Sequence, residues 1–152
     1  MLQRSNTAEM TMFLGGPESD EQVEKRHAKF LRLWQTGEAR MFTVNVADAD
    51  EPVGSVGYWK TTHHGDDIYE AGWSIATGFQ GRGIAAAALA ACLRDAAAHG
   101  DGRALFAFPR TDNAASNALC RRAGMTWTGE EDFEYPAGNP IRVNAWMTDT
   151  RV

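Results

Sequence analysis

The residues best suited to chemistry lie in the stretch GFQGRGIAAAALAACL, where glycines and an arginine precede an uncharged apolar run. The glycines are Gly78, Gly81 and Gly83. Because glycine has no Cβ, backbone N–H groups can converge on an anion there, and the positive end of the following helix dipole adds to the attraction. The stretch predicts a phosphate-binding turn, although glycines that merely form a turn explain it equally well.

Two known phosphate motifs fail on this stretch. A Walker A loop needs Lys followed by Ser or Thr after its glycines, and neither follows here. Gly81, Gly83 and Ala86 match the dinucleotide pattern G-x-G-x-x-A, but that pattern directly follows its strand and an acidic residue ends the next strand. Here ATGF intervenes, and the next predicted strand runs to Phe108 and Pro109. A nucleotide-linked oxidoreductase is therefore disfavoured.

Two other motifs fit the chain better. Gln80, Gly83 and Ala85 form Q-x-x-G-x-A just behind the predicted strand WSI. The later segment DNAASNALCRRAGM has the form N-x-x-S-x-x-(aliphatic)-x-x-x-x-G-(hydrophobic), and its matching positions are Asn113, Ser116, Leu119 and Gly124. Together the motifs resemble the GNAT superfamily of acetyl-CoA-dependent N-acyltransferases, by element order over residues 40–149 and most strongly over residues 69–125.

The resemblance implies a binding site for acetyl-CoA. Backbone amides of the glycine loop would bind the pyrophosphate, and amides at the end of the preceding strand would pair with the pantetheine arm like an added strand. Asn113 and Ser116 of the second motif would contact the arm from the other side. The cofactor-binding residues implied in this way are Ser74, Ile75, Ala76, Gln80, Gly81, Arg82, Gly83, Ile84, Ala85, Asn113 and Ser116.

Glu70 is the candidate general base, because acetyl transfer requires a neutral amine. Strand alternation places Glu70, Gly72 and Ser74 on one face, which is small and polar enough for an acyl group unless a bulge changes the parity. By residue type alone, a solvated carboxylate at a strand end is the commoner outcome. The resemblance favours the catalytic role, since many members of the superfamily carry a catalytic Glu at this position.

Cys120 stands where many members carry a tyrosine that protonates the departing thiolate. We interpret Cys120 as a small buried hydrophobe on a helix. A thiol with a pKa near 8.5 is already a tolerable leaving group, so the missing acid need not abolish turnover. Ser116 or water could stabilise the sulfur, and Ser116 is therefore predicted to be catalytic as well.

The segment HHGDD, residues 63–67, contains histidine and aspartate side chains of the kind that bind metal ions. Adjacent histidines in a strand point to opposite sides, so only one of His63 and His64 could easily ligate an ion. We predict no metal site and interpret the segment as a solvated turn.

The elements that position these residues alternate in type. A helix is predicted to begin at a cap formed by Ser19 with Gln22 and to end at Gly37. Strands are predicted to follow in RMFTVNVA, VGSVGYW and YEAGWSI and to form an antiparallel meander. The polar KTTHHGDD is predicted to connect the last two. The apolar face predicted for the helix comprises Val23, His27, Phe30, Leu31 and Trp34.

The rest of the chain predicts further helices and strands in alternation. The alanine-rich helix is expected to close at His99 and Gly100, and RALFAFP follows as a strand. SNALCRRAG is predicted to be a short helix, and the last strands are expected near MTWTGEEDFEY and RVNAWMTD. The first strand that most superfamily members carry is short or missing in MLQRSNTAEM.

Composition limits the class of protein. The chain has 152 residues, 43% of them hydrophobic, which predicts one domain over residues 1–152. A net charge of -5 disfavours nucleic acid as a partner, and we predict neither a membrane span nor a signal peptide. The two cysteines have no metal or redox spacing, so we expect free thiols and a cytoplasmic protein.

These observations lead to one main hypothesis. We predict an α/β GNAT-like fold, with a mixed, largely antiparallel central sheet flanked by helices, that transfers acetyl from acetyl-CoA to a primary amine by direct attack in a ternary complex. The acceptor, a small molecule or a protein amine, and a homodimer are left open. The alternative is a non-catalytic acyl-CoA-binding module, which the missing tyrosine favours and Glu70 opposes.

Overall fold

The computed structural model of the chain describes residues 20–134 and 137–151, with residues 20–23, 26, 27 and 30 described by their backbone alone. The 3-10 turn Thr77–Phe79 precedes the second helix. The helices and strands, in chain order, are α1 (Asp20–Thr36), β1 (Ala39–Val44), β2 (Gly54–His63), β3 (Asp66–Ile75), α2 (Ile84–His99), β4 (Leu105–Ala107), α3 (Ala114–Arg122), β5 (Thr126–Glu134) and β6 (Pro140–Thr148).

The strands form a six-stranded sheet in the order β1-β2-β3-β4-β6-β5. The neighbours β3 and β4 are parallel, and every other neighbouring pair is antiparallel. This arrangement confirms the predicted fold class, a mixed and largely antiparallel sheet with helices. It also confirms the predicted meander of β1, β2 and β3.

The hairpin between β2 and β3 is tighter than the sequence predicted. The polar connection predicted for KTTHHGDD is wrong, because β2 continues to His63 and β3 begins at Asp66. Only His64 and Gly65 form the turn, and their φ values of 52° and 83° are those that a type I′ hairpin requires. The two strands pair along all ten residues of β3 without a bulge, so its side chains alternate regularly.

Helix α1 ends where the sequence predicted, but part of its predicted apolar face is exposed. Gly37 follows the helix in the left-handed region, with a φ of 79°. Leu31 is 55% exposed and Trp34 is 39% exposed, so the prediction that both face the core is wrong. The Trp34 ring contacts Phe42 of β1 edge-on, with ring centroids 5.2 Å apart.

Several sequence predictions lie outside the described residues. They concern the first strand in MLQRSNTAEM and the cap residue Ser19, as well as the side chains of Gln22, Val23, His27 and Phe30.

The main core lies between the sheet and helices α2 and α3. It comprises Val56, Tyr58, Tyr69, Ala71, Cys92, Ala96, Leu105, Ala107, Cys120, Met125 and Trp146. The odd-numbered residues of β3, such as Tyr69 and Ala71, direct their side chains into this core. The even-numbered residues of β3, including Glu70, therefore lie on the opposite face of the sheet.

A polar network joins α2 to the first two strands. The Asp95 carboxylate on α2 accepts two hydrogen bonds from the Arg40 guanidinium, at 2.7 and 3.1 Å, and one from the Tyr58 hydroxyl, at 2.6 Å. Burial raises the pKa of Asp95, but the hydrogen bonds from Arg40 and Tyr58 outweigh it and leave that pKa below its usual value. The network fixes α2 against β1 and β2.

We predict that Asp95→Ala lowers the free energy of unfolding by about 1–3 kcal/mol, because two partly buried donors lose their acceptor. Asp149→Ala is the control, since it removes an exposed carboxylate paired with Arg151 and should change stability by less than about 0.5 kcal/mol. Urea unfolding followed by tryptophan fluorescence measures both. Equal effects from the two substitutions would show that the network does not position α2.

Candidate active site

A cleft opens where β3 and β4 separate. Their ladder has two register pairs, the second of which joins Glu70 to Phe106. Beyond this point β3 stays paired with β2, whereas the chain after β4 follows β6, since the Pro109 carbonyl accepts a hydrogen bond from the Asn144 amide at 2.9 Å. The second half of β3 therefore has an edge that β4 leaves unpaired.

The open edge of β3 presents backbone groups to this cleft. The Tyr69 amide donates to the Ala104 carbonyl at 2.8 Å, so the backbone groups of odd-numbered β3 residues point toward β4. By this alternation, Trp73 and Ile75 direct their N–H groups into the cleft. An extended ligand could pair with them as an additional strand.

The three amides that the resemblance implied for the pantetheine arm differ in orientation. The Ile75 amide faces the cleft. Alternation turns the Ser74 amide toward its register partner Ser55 on β2. The Ala76 amide donates to the Val53 carbonyl at 2.7 Å, so it is engaged within the sheet.

The glycine loop connects this edge to α2. The Gln80 side chain donates through Nε2 to the Ile75 carbonyl at 2.9 Å and so ties the loop to the end of β3. Gly81 and Gly83 are left-handed, with φ values of 77° and 76°. A Cβ at either glycine would meet no atom within 4 Å, so backbone conformation rather than crowding favours glycine there.

The start of α2 has the features of an anion site. Gly83 is the N-cap residue, no side chain caps the helix, and its first turn has no acidic residue. The first helical hydrogen bond runs from the Ala87 amide to the Gly83 carbonyl, so the amides of Ile84, Ala85 and Ala86 have no partner within the helix. Such amides, together with the helix dipole, suit a phosphate.

Arg82 lies beside these amides and is already ion-paired. Its guanidinium contacts both Asp48 oxygens, at 3.0 and 3.1 Å, and lies 5.3 Å from the centroid of the Phe79 ring. Its hydrogen bonds hold the pKa of Asp48 below its usual value. Because the pair is exposed, solvent and salt weaken it, and an incoming phosphate could replace the carboxylate.

The second motif begins α3 on the far side of the cleft. Asn113 is the N-cap, and its Oδ1 accepts a hydrogen bond from the Ser116 amide at 3.1 Å. The Asn113 side chain therefore positions the start of the helix. The Ser116 hydroxyl makes no hydrogen bond to the residues that the structure describes, so it is available for a ligand.

Asn117 was missed by the sequence analysis. Its Nδ2 donates to the Arg110 carbonyl at 2.8 Å, and its Oδ1 accepts from Asn144 at 2.8 Å and from the Trp146 indole at 2.9 Å. It thus fixes α3 to the loop after β4 and to β6. An asparagine within a helix gives no local signal of such long-range contacts.

Glu70 lies on the face of the sheet opposite α2. The same face carries its register partners Trp59 and Phe106, and also Met147, which pairs with Phe106. The carboxylate therefore lies in a row of apolar side chains. A Cβ at Gly72 would come within 2.9 Å of the Trp59 ring, so the indole lies across Gly72. The Glu70 carboxylate makes no hydrogen bond or ion pair with any described residue.

Burial therefore determines the chemistry of Glu70. It raises the pKa of the Glu70 carboxyl to about 7. A carboxylate with this pKa is a base near neutral pH, and it takes up a proton more readily than an ordinary Glu.

Cys120 is a structural residue. Its side chain is fully buried in the core, with 0% exposure, and burial raises the pKa of its thiol to about 12. Both cysteines are free, as the sequence predicted, and both are buried.

The two histidines of the hairpin do not point to opposite sides, contrary to the sequence analysis. His64 lies beyond the end of β2 with a φ of 52°, so strand alternation does not apply to it. The rings of His63 and His64 lie together, with centroids 4.0 Å apart.

A mixed sheet that opens between two parallel strands beside an uncapped helix start suits an extended ligand that carries phosphate. A family model described as an acetyltransferase (GNAT) domain matches residues 1–126. The chain belongs to this family.

Solved structures agree with this assignment. RimL, a ribosomal L7/L12 alpha-N-protein acetyltransferase in complex with coenzyme A, is 25% identical with a TM-score of 0.78, over 99% of this chain and 86% of RimL. The Salmonella typhimurium acetyltransferase that modifies the N-terminal serine of L7/L12 is 26% identical with a TM-score of 0.77, over 97% of this chain and 86% of the Salmonella protein. The search of curated proteins found no match.

The chain is thus an N-acetyltransferase that moves the acetyl group of its co-substrate acetyl-CoA to an amine. This confirms the predicted activity over the alternative of a non-catalytic binding module. Among the described residues, no helix is both long and apolar enough to cross a membrane.

We predict that Gly83→Asp abolishes acetyl-CoA binding, because it places a carboxylate at the amides of the α2 start. For the parent, acetyl-CoA at a hundred times its Kd should add about 2.7 kcal/mol, a melting shift of roughly 5–10 °C. Gly83→Ala is the control, since it adds the left-handed strain of roughly 1–2 kcal/mol without the charge. Differential scanning fluorimetry should show the shift for the parent and Gly83→Ala only. A shift retained by Gly83→Asp would place the site elsewhere.

Proposed function

We propose that this enzyme acetylates the α-amino group at the N-terminus of a polypeptide, with Glu70 as the general base. The observation that carries the proposal is the position of Glu70, beside the end of the β3–β4 ladder and without a partner among the described residues. The site therefore offers a basic group next to an open cleft.

Proton transfer to Glu70 costs less from an α-amine than from a lysine side chain, because the α-ammonium group has the lower pKa. Moving a proton from an α-ammonium group, with a pKa near 7.8, to a carboxylate with a pKa of about 7 costs about 1 kcal/mol. The same transfer from a lysine ammonium group, with a pKa near 10.4, costs about 4.6 kcal/mol. An acceptor amine of low pKa thus suits this base.

A groove lined by Trp59, the register partner of Glu70, has room for more than an amino group. It has a volume of about 320 Å³ and is lined by Lys29, Leu33, Glu38, Trp59, Lys60 and Thr61. Trp59 belongs both to this groove and to the apolar row that contains Glu70. The groove could hold the residues that follow an acceptor N-terminus, and the relatives named for modifying ribosomal protein L7/L12 support a polypeptide acceptor.

The proposed residues account for each proton and bond. Glu70, directly or through a water, takes the proton of the acceptor ammonium group, and the neutral nitrogen attacks the thioester carbonyl. The C–S bond breaks as the nitrogen gives up its second proton, which passes to the departing sulfur directly or through water, so that the amide and the free thiol of coenzyme A are formed. The Ser116 hydroxyl is the group of this chain proposed to stabilise the departing sulfur.

Two peptides test the acceptor class. One has a free N-terminus and no lysine, and the other has a blocked N-terminus and a single lysine. We expect thiol release with acetyl-CoA at pH 7 to be at least tenfold faster with the first, and mass spectrometry should locate the acetyl group on its α-nitrogen. Faster acetylation of the lysine peptide would contradict the proposed acceptor while leaving the enzyme an acetyltransferase.

Glu70→Gln tests the base separately. It keeps the side-chain shape and removes the basic group, so kcat at pH 7 should fall by about 10²–10⁴ while the acetyl-CoA Kd is unchanged. The loss should shrink as the pH rises and free amine accumulates. Glu24→Gln, an exposed carboxylate on α1, is the control and should match the parent. If Glu70→Gln also matched the parent from pH 6 to 9, Glu70 would not be the base.

A further inference from the structure

A second cluster of polar side chains lies where the β2–β3 hairpin meets β5. The Nε2 atom of His63 is 2.8 and 2.9 Å from the two Glu131 oxygens, and the Nε2 atom of His64 is 3.0 Å from one of them. The donor atoms of all three residues lie within 4.8 Å of one another. From this convergence we propose that His63, His64 and Glu131 bind one Zn²⁺ ion that takes no direct part in the chemistry of acetyl transfer.

The hairpin turn allows both histidines to take part. His63 is the last residue of β2, and His64 is the first turn residue, with a φ of 52° that non-glycine residues rarely adopt. This conformation places the two rings side by side and directs both Nε2 atoms to one carboxylate. Glu131 comes from β5, about seventy residues later in the chain, so the fold rather than local spacing assembles the set.

The donor chemistry and spacing suit zinc. Two imidazole nitrogens and one carboxylate are a known zinc ligand set that leaves the fourth position to water. With metal–ligand bonds of about 2.0–2.1 Å, the ligand atoms of a tetrahedral site lie roughly 3.3 Å apart. The contacts of 2.8–3.0 Å would therefore need to open by only a few tenths of an ångström.

The surroundings also favour a bound cation. The side chains of His63 and Glu131 are only 13% and 19% exposed, whereas His64 is 72% exposed and leaves the ion a path to solvent. The His63 ring packs 4.8 and 5.1 Å from the ring centroids of Phe106 and Phe108, which cover the inner side of the cluster. The Glu131 carboxylate supplies a negative charge that attracts a dication.

A bound ion would act as a cross-link. The hairpin and β5 are separated in the sheet by β4 and β6, so a zinc bridge would span the face that carries Glu70. Phe106, which packs against His63, is also the register partner of Glu70. The bridge would thus fix one wall of the face on which the acceptor must lie.

Zinc binding can be tested on the full chain without a histidine tag. After dialysis against Zn²⁺ and removal of free metal at pH 7.5, elemental analysis should find one zinc per chain. Free Zn²⁺ at a hundred times its Kd should raise the melting temperature by roughly 5–10 °C. Co²⁺ in its place should give the visible absorption bands of a tetrahedral site.

Three variants make the test specific. His64→Gln and Glu131→Gln should each lose the bound zinc and the melting shift, and the exposure of His64 means that its replacement should leave the fold intact. His99→Gln, at an exposed histidine on α2, should keep both. Absence of zinc from the parent, or zinc retained by His64→Gln and Glu131→Gln, would overturn the proposal and leave the cluster as a hydrogen-bonded ion pair.

Discussion

The hydrogen-bond ladder between β3 and β4 ends after Glu70 and Phe106, and the functional geometry depends on this ending. Because β3 remains paired with β2, and the chain after β4 remains close to β6, the sheet stays continuous on one side of this point and opens on the other. The opening leaves backbone donors of β3 for an extended ligand and leads to the uncapped start of α2. The proposed phosphate site and the proposed acyl site thus both lie at one break in backbone pairing.

Two carboxylates show how the fold separates structural from reactive groups. Asp95 accepts hydrogen bonds from Arg40 and Tyr58, and its pKa lies below the usual value. Glu70 is partly buried and has no such partner among the described residues, so burial raises its pKa to about 7. The first group fixes α2 in place. The second can accept a proton near neutral pH, as its proposed role as the general base requires.

The sequence predicted what depends on local residues, and missed what depends on distant contacts. The glycine loop and the start of α2 are local, because Gly81 and Gly83 provide the left-handed backbone that the turn needs. The β2–β3 turn was missed because histidine seldom adopts a positive φ, as His64 does here. Neither the contacts of Asn117 nor the burial of Glu70 could be read from the sequence, since both depend on register across several strands.

The proposed chemistry depends most on Glu70 being a base that burial has tuned to neutral pH. The direct measurement is an NMR titration of its side-chain carboxyl carbon in the free enzyme, assigned with Glu70→Gln. We predict a midpoint near pH 7, far above the value of about 4.3 for an unperturbed Glu. A midpoint near 4.3 would show that water reaches the carboxylate, and it would contradict the proposed role of Glu70 as a base tuned to neutral pH.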